Sequence, residues 1–192
     1  MWTDEKADAE GRTILYRERG TRYHPQHVQR TQHSGRVAAQ FWGYITAAGP
    51  GELVTVPNHM NSDDYIDVLQ NVLLPSLQAN FPEQNEFLFM HDNSSVHTSH
   101  KTQRWLQEHP EIVCIEWPPR SPDCNPMEHV WAYMINKWEQ RRQDKKKQIL
   151  VNHVMELWSH LKAHPSIASN LVKSVPARLQ EIITNSGDYT KY

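Results

Sequence analysis

Residues 86–95, EFLFMHDNSS, decide the architecture. Phe87, Leu88, Phe89 and Met90 form a short unbroken apolar run that stops abruptly at His91, Asp92, Asn93 and Ser94. A run of that length bounded by turn residues reads as a central strand covered on both sides and ending in an acid. Upstream, Tyr65, Ile66, Leu69, Leu73 and Leu77 recur at helical spacing behind Asn61 or Ser62 as cap, which predicts a helix over 62–77. Downstream, the pattern predicts a helix over 98–108, a brief strand over 112–115 and a helix over 127–142. Nearer the start, 11–19 (GRTILYRER) alternates as a strand. Residues 37–46 (VAAQFWGYIT) read as a buried strand, 47–51 as a turn and 52–56 as a third strand, together an antiparallel meander. The last third is helical. Ile149, His153, Leu157 and Leu161 form one stripe, supported by Leu150, Val154 and Trp158, and a final helix over 167–183 meets a kink or break at Pro176. This order of elements describes an α/β fold with a mixed sheet.

The chain has 192 residues, enough for one domain with helices on both faces of a sheet. No apolar run approaches the ~20 residues of a membrane span, and the charged start MWTDEKADAEGR is unlike a secretory signal, so an intracellular protein is expected. Cys114 and Cys124 lack the tight pairing of a zinc motif and read as free thiols of a reducing compartment. His91, His97 and His100 lie close together, but no second ligand cluster has zinc spacing. With 20 Lys and Arg against 22 Asp and Glu, the chain lacks the basic surplus of a protein that holds DNA by overall charge. DNA contact would have to come from local patches, a partner or a further segment. Lys137, Arg141, Arg142, Lys145, Lys146 and Lys147 form one basic cluster; Glu139 and Asp144 interrupt it, so it reads as a solvated helical face or as a phosphate track. Arg17, Arg19 and Arg22 make a smaller patch. Most of the tryptophans at 105, 117, 131, 138 and 158 fall at core positions.

Three acids stand where chain elements end. Asp92 closes the apolar strand, Asp4 follows the short start Met1-Trp2-Thr3, and Glu128 opens the helix after WPPRSPDCNPME. Hard divalent cations take carboxylate oxygens and leave positions for water and phosphate, and two such ions about 3.5–4 Å apart can drive phosphodiester chemistry. Local readings compete. Asn125, Pro126 and Glu128 have the spacing of a capping box, Asp92 before Asn93-Ser94 suits a turn, and Asp4 suits an exposed chain end. Spacing by itself leaves these alternatives open.

The segments FLFMHDNSSVHTSHKTQRWL (87–106) and IEWPPRSPDCNPMEHVW (115–131) closely resemble the two central motifs of mariner-superfamily DDE transposases. Thirty-five residues separate Asp92 from Glu128, close to the spacing of that family, and Trp2-Thr3-Asp4-Glu5 resembles its first motif. GTRYHP (20–25), WGYITAAGPGELV (42–54), DDYIDVLQNVLLPSL (63–77) and GDYTKY (187–192) are similar as well, so the resemblance covers essentially the whole chain.

The resemblance implies a ribonuclease H-like fold, a mixed sheet flanked by helices with a helical C-terminal extension. It implies a single catalytic domain over 1–192, with a core to about residue 145 and a tail beyond. It further implies a two-metal Mg²⁺ or Mn²⁺ site held by Asp4, Asp92 and Glu128. The reaction implied is hydrolysis at transposon ends and strand transfer into target DNA, in the nucleus, with DNA and a homodimer as partners and no membrane. Asn93 and His97 match recurring residues beside the second aspartate, as neighbours of the metal ligands or DNA contacts, and Lys137, Arg141 and Arg142 are the further DNA-facing candidates. Asp123 is read as shaping the loop before Asn125.

The sequence departs from the family pattern at its start. The strand carrying Asp4 is expected to be only three residues long, and 5–10 is shorter than the segment that forms a clamp-like hairpin in relatives. The helix-turn-helix region of the family is expected to be absent ahead of Met1. The alternative function is therefore a weak or inactive transposon-derived remnant or recruited DNA-associated module. An unrelated ribonuclease H-like nuclease acting on RNA is disfavoured by the SPDCNPME block (121–128).

Overall fold

The computed structural model describes residues 1–7, 38–115, 125–139 and 146–184. The strand expected over 11–19 lies outside them. Three antiparallel strands, β1 (Trp2–Ala7), β2 (Gln40–Thr46) and β3 (Gly49–Val56), are joined in the order β1-β2-β3. A parallel pair, β4 (Phe87–Phe89) and β5 (Ile112–Cys114), runs beside them. Backbone bonds join the two groups: the Met90 N–H donates to the Met1 carbonyl (3.1 Å) and the Thr3 N–H to the Met90 carbonyl (3.0 Å). That is the ladder of two parallel strands. The sheet thus reads β3-β2-β1-β4-β5, with only β2 running against the rest, which is the mixed sheet expected from the sequence.

β1 corrects one expectation. Its six residues pair with β2 from Trp2 opposite Ile45 to Ala7 opposite Gln40, so the strand does not end at Thr3. Asp4 sits inside it, across from Gly43. The local pattern could not reveal this, because the partner strand lies some forty residues away. The β2–β3 turn also differs from expectation: only Ala47 and Ala48 form it, and β3 starts at Gly49 rather than residue 52. Gly49 takes φ 132°, a conformation that side chains disfavour, and Thr46 Oγ1 accepts from the Ala48 N–H at 3.1 Å.

Helices cover both faces. α1 (Ser62–Val68) continues through a π turn (Leu69–Leu73) into α2 (Leu74–Asn80). Asn61 is its cap: its carbonyl oxygen accepts from the Asp63 and Asp64 N–H groups, and Asp64 accepts in return from the Asn61 N–H. The π turn precedes Pro75, whose ring would crowd the carbonyl one α-turn back; widening the turn relieves that clash. With α3 (His100–Glu108), capped by Ser99, these helices bury Tyr65, Leu69, Leu73, Leu77, Trp105 and Leu106 against Trp42, Tyr44, Phe87 and Phe89.

On the other face, α4 (Pro126–Glu139), α5 (Lys147–Ala163) and α6 (Ser166–Thr184) enclose Phe41, Ile45, Leu53 and Met90. β2 therefore supplies both cores, which accounts for its unbroken apolar run. β4 does not behave that way: Phe87 and Phe89 are buried while Leu88 is 61% exposed. β4 is central by its two edges rather than by its two faces. Of the residues expected along α5, Leu150, His153, Val154, Trp158 and Leu161 are buried, whereas Leu157 is half-buried and Ile149 exposed. α6 runs through Pro176 without a break. Trp105, Trp131 and Trp158 are core residues as expected.

Candidate active site

Sheet register brings two of the three acids together. The β1–β4 ladder centres on Trp2 and Met90, so position 4 stands two residues beyond the same bridge as position 92. The strands carrying the two positions are thus neighbours, at the usual spacing of about 4.8 Å. Of Asp4 only the backbone is described. Glu128 arrives from elsewhere: it is half-buried in the first turn of α4, which packs on β1. Asn125 Oδ1 accepts from the Met127 N–H at 3.0 Å and Pro126 opens the helix, as the spacing had indicated. The cap fixes where the turn begins and so where Glu128 is presented.

The Asp92 carboxylate is built with care. Its Oδ1 accepts from the Ser94 N–H (2.9 Å) and lies 2.8 Å from His97 Nδ1. The same Nδ1 lies 3.1 Å from the Asp92 carbonyl oxygen. The His97 bond, with help from Ser94, holds the Asp92 pKa down at about 2 against the opposing pull of burial. Asp92 thus stays anionic while its side chain is 56% exposed. His97 is 1% exposed and does not face solvent.

Behind this carboxylate lies a polar chain that pattern reading did not find. The His97 ring stacks on His91 at 4.6 Å and 9°, and Tyr65 packs against both rings, 4.3 Å from His97 and 6.1 Å from His91. The Tyr65 hydroxyl lies 2.9 Å from His91 Nδ1, and Cys114 Sγ 3.3 Å from His91 Nε2. Burial, with the neighbouring His97, lowers the His91 pKa to about 3, so the ring is neutral. Burial likewise pushes the Cys114 thiol up. The one hint in the sequence was a tyrosine, rather than a phenylalanine, at position 65 of an otherwise apolar face, because a buried hydroxyl needs a partner.

Asn93 and Lys137 are exposed, the latter with Nζ 5.9 Å from the Tyr133 ring centre. Arg141, Arg142, Cys124 and Asp123 lie outside the described residues. Among the described side chains, no three His, Cys, Asp or Glu residues converge as a metal cluster, a set from which Asp4 is missing.

Residues 3–150 match the family described as DDE superfamily endonuclease. The chain belongs to that family. The Tcb1 transposase of Caenorhabditis briggsae and the Tc1 transposase of Caenorhabditis elegans are each 28% identical over 197 residues, covering 100% of this chain and 70% of theirs. Among solved structures, the mariner Mos1 paired end complex with Mg superposes with a TM-score of 0.76 at 20% identity, over 98% of this chain and 56% of that one. This chain therefore spans little more than half the length of that Mos1 protein. The structural likeness shows the ribonuclease H-like fold expected from the sequence. The chain is thus a DDE-type endonuclease domain, similar to the Tc1 and Tcb1 transposases.

Proposed function

We propose that this chain is a transposase catalytic domain that cuts DNA at transposon ends and joins them to a target. In this reading Asp4, Asp92 and Glu128 hold two Mg²⁺ or Mn²⁺ ions. The observation that carries it is the Asp92 carboxylate, kept anionic by two N–H donors and half exposed at the strand edge where position 4 lies. Carboxylate oxygens are the donors that hard divalent cations take, so the residues suit the ions. When bound, such ions would activate the attacking oxygen and offset charge on the leaving one. The protein's share is to hold its carboxylates anionic at fixed positions: Asp92 by His97 and Ser94, Glu128 by the capped start of α4, Asp4 by pairing on both sides of β1.

The name of the Mos1 paired end complex with Mg supports both the ion and DNA ends as partners. A homodimer that pairs two ends and a nuclear location complete the reading. No helix among the described residues is long and apolar enough to cross a membrane. Lys137, Arg141 and Arg142, with Asn93, are the candidates for phosphate contact, and residues 1–192 form one catalytic unit in which α5 and α6 pack against β2 and β3.

The test is nicking of supercoiled DNA by the purified chain with Mn²⁺ or Mg²⁺. Asp92→Asn should lose at least about 100-fold in rate, since it removes the charge on which the ion depends. Equal nicking by both proteins would refute the proposal.

A further inference from the structure

Asp92 has two carboxylate oxygens, and the fold treats them differently. Oδ1 receives the Ser94 N–H and faces His97 Nδ1, while Nδ1 also faces the Asp92 carbonyl. Both neighbours of Nδ1 are acceptors, so this nitrogen carries the ring hydrogen. The ring itself has little freedom. It is 1% exposed and packs on Tyr65 and His91, while the backbone N–H of His97 donates to the Ser94 carbonyl (3.1 Å) and Gln103 Nε2 donates to the His97 carbonyl (3.0 Å). Tyr65 comes from α1, Gln103 from α3 and His91 from the end of β4, so three elements set the direction of one N–H.

We infer that His97 is a positioning residue: its Nδ1–H ties up Asp92 Oδ1, so that Asp92 meets a cation through Oδ2 alone. This rests on the metal-site reading above and extends it to the geometry of ligation. An enclosed ring contributes through Asp92 and not by touching DNA. The physical gain is selectivity of mode. Mg²⁺ demands near-octahedral geometry, which a single fixed oxygen accommodates and a loose carboxylate swinging into two-oxygen binding disturbs. Partners of this kind behind a ligand commonly change metal affinity by roughly 10–100-fold.

Two substitutions in the full chain separate positioning from packing. His97→Phe keeps a ring against Tyr65 and His91 but removes the N–H; His97→Asn discards the ring but keeps an N–H donor at the equivalent position. Mn²⁺ binding by calorimetry should weaken roughly 10–100-fold in His97→Phe and remain close to the unsubstituted chain in His97→Asn. The opposite order, or equal binding in all three, would overturn the inference and leave the metal site standing. Absence of Mn²⁺ binding by the unsubstituted chain would overturn the metal site and this inference with it. Nitrogen-15 NMR of the imidazoles in the unsubstituted protein gives a check that no folding defect can obscure. His97 should show the Nδ1–H form, and an Nε2–H form would refute the assignment.

Discussion

Acidification from about pH 7 to about pH 5 should destabilise the domain through His91. The ring is 8% exposed, packed on Phe89 and His97, with its nitrogens facing a tyrosine hydroxyl and a thiol. Burial is the main reason its pKa falls from 6.5 to about 3. In the unfolded chain it takes up a proton below about 6.5. Between these values the unfolded state binds one more proton than the folded state, so stability falls as pH falls. At 1.36 kcal/mol per unit, and allowing for partial titration near 6.5, the loss between about pH 7 and pH 5 is about 2 kcal/mol. For a domain of this size that corresponds to a melting point lower by roughly 4–8 °C. The measurement is a difference of differences, which isolates the His91 contribution. Urea unfolding followed by tryptophan fluorescence is run at both pH values for the unsubstituted chain and His91→Gln, which retains polar atoms but does not titrate. The variant should lose about 2 kcal/mol less on acidification. An identical loss in both would refute the claim that His91 is held neutral by its surroundings.

Gly51→Ala places a methyl carbon 1.9 Å from the buried Tyr44 ring, so overpacking should cost about 3 kcal/mol or more in chemical denaturation. Gly43→Ala meets the flexible tip of Leu53 at 2.9 Å and should cost less in the same assay. Arg178 is 2% exposed, donates through Nε to the Ser174 hydroxyl (2.9 Å) and meets His129 on α4 through Nη1. Arg178→Ala should lower stability by about 2–4 kcal/mol, read from the denaturation midpoint, because it strips partners from buried polar groups. Lys137→Glu should weaken DNA binding and reduce the salt dependence of the binding constant by about one phosphate contact, measured by titration at several salt concentrations. An unchanged salt slope would mark Lys137 as part of a solvated face.

Elements whose own residues set their limits were legible in the sequence. Asn61 and Ser62 mark the start of α1 as its two cap candidates, and Asn125-Pro126 announces the start of α4 in two residues. β2 shows its double burial as FWGYI. What failed depended on distant partners. Trp2-Thr3 looked too short for a strand because Gln40 to Ile45, its partners, are far along the chain. Leu88 looked buried because apolar character says what a residue tolerates, not whether another layer arrives to cover it. Along α5 the pattern could not rank Ile149 against Leu150 or Leu157 against Trp158, which are apolar neighbours; whichever faces β3 is decided by packing, here with Trp158 Nε1 donating to the Gly51 carbonyl at 3.0 Å. Of the kink or break expected at Pro176 the break does not occur, since packing of α6 on the sheet outweighs a local penalty of ~3 kcal/mol.

The site divides along the same line. A resemblance at the level of motifs could name Asp92, Glu128 and Asp4, because each motif is contiguous and each acid closes or opens an element. It could not tell what His97 does, since a histidine five residues after an aspartate can as readily face solvent as turn back. The outcome is set by the tight turn that takes the His97 and Thr98 N–H groups to the Ser94 carbonyl, and by Tyr65, supplied thirty-two residues earlier. Two readings of Asp92 that compete in the sequence are therefore compatible. Asp92 is a turn residue, its Oδ1 accepting from Ser94, and the same bond leaves its other oxygen for a ligand. The local structural role and the proposed catalytic role use different atoms of one side chain, which is why spacing by itself could not choose between them.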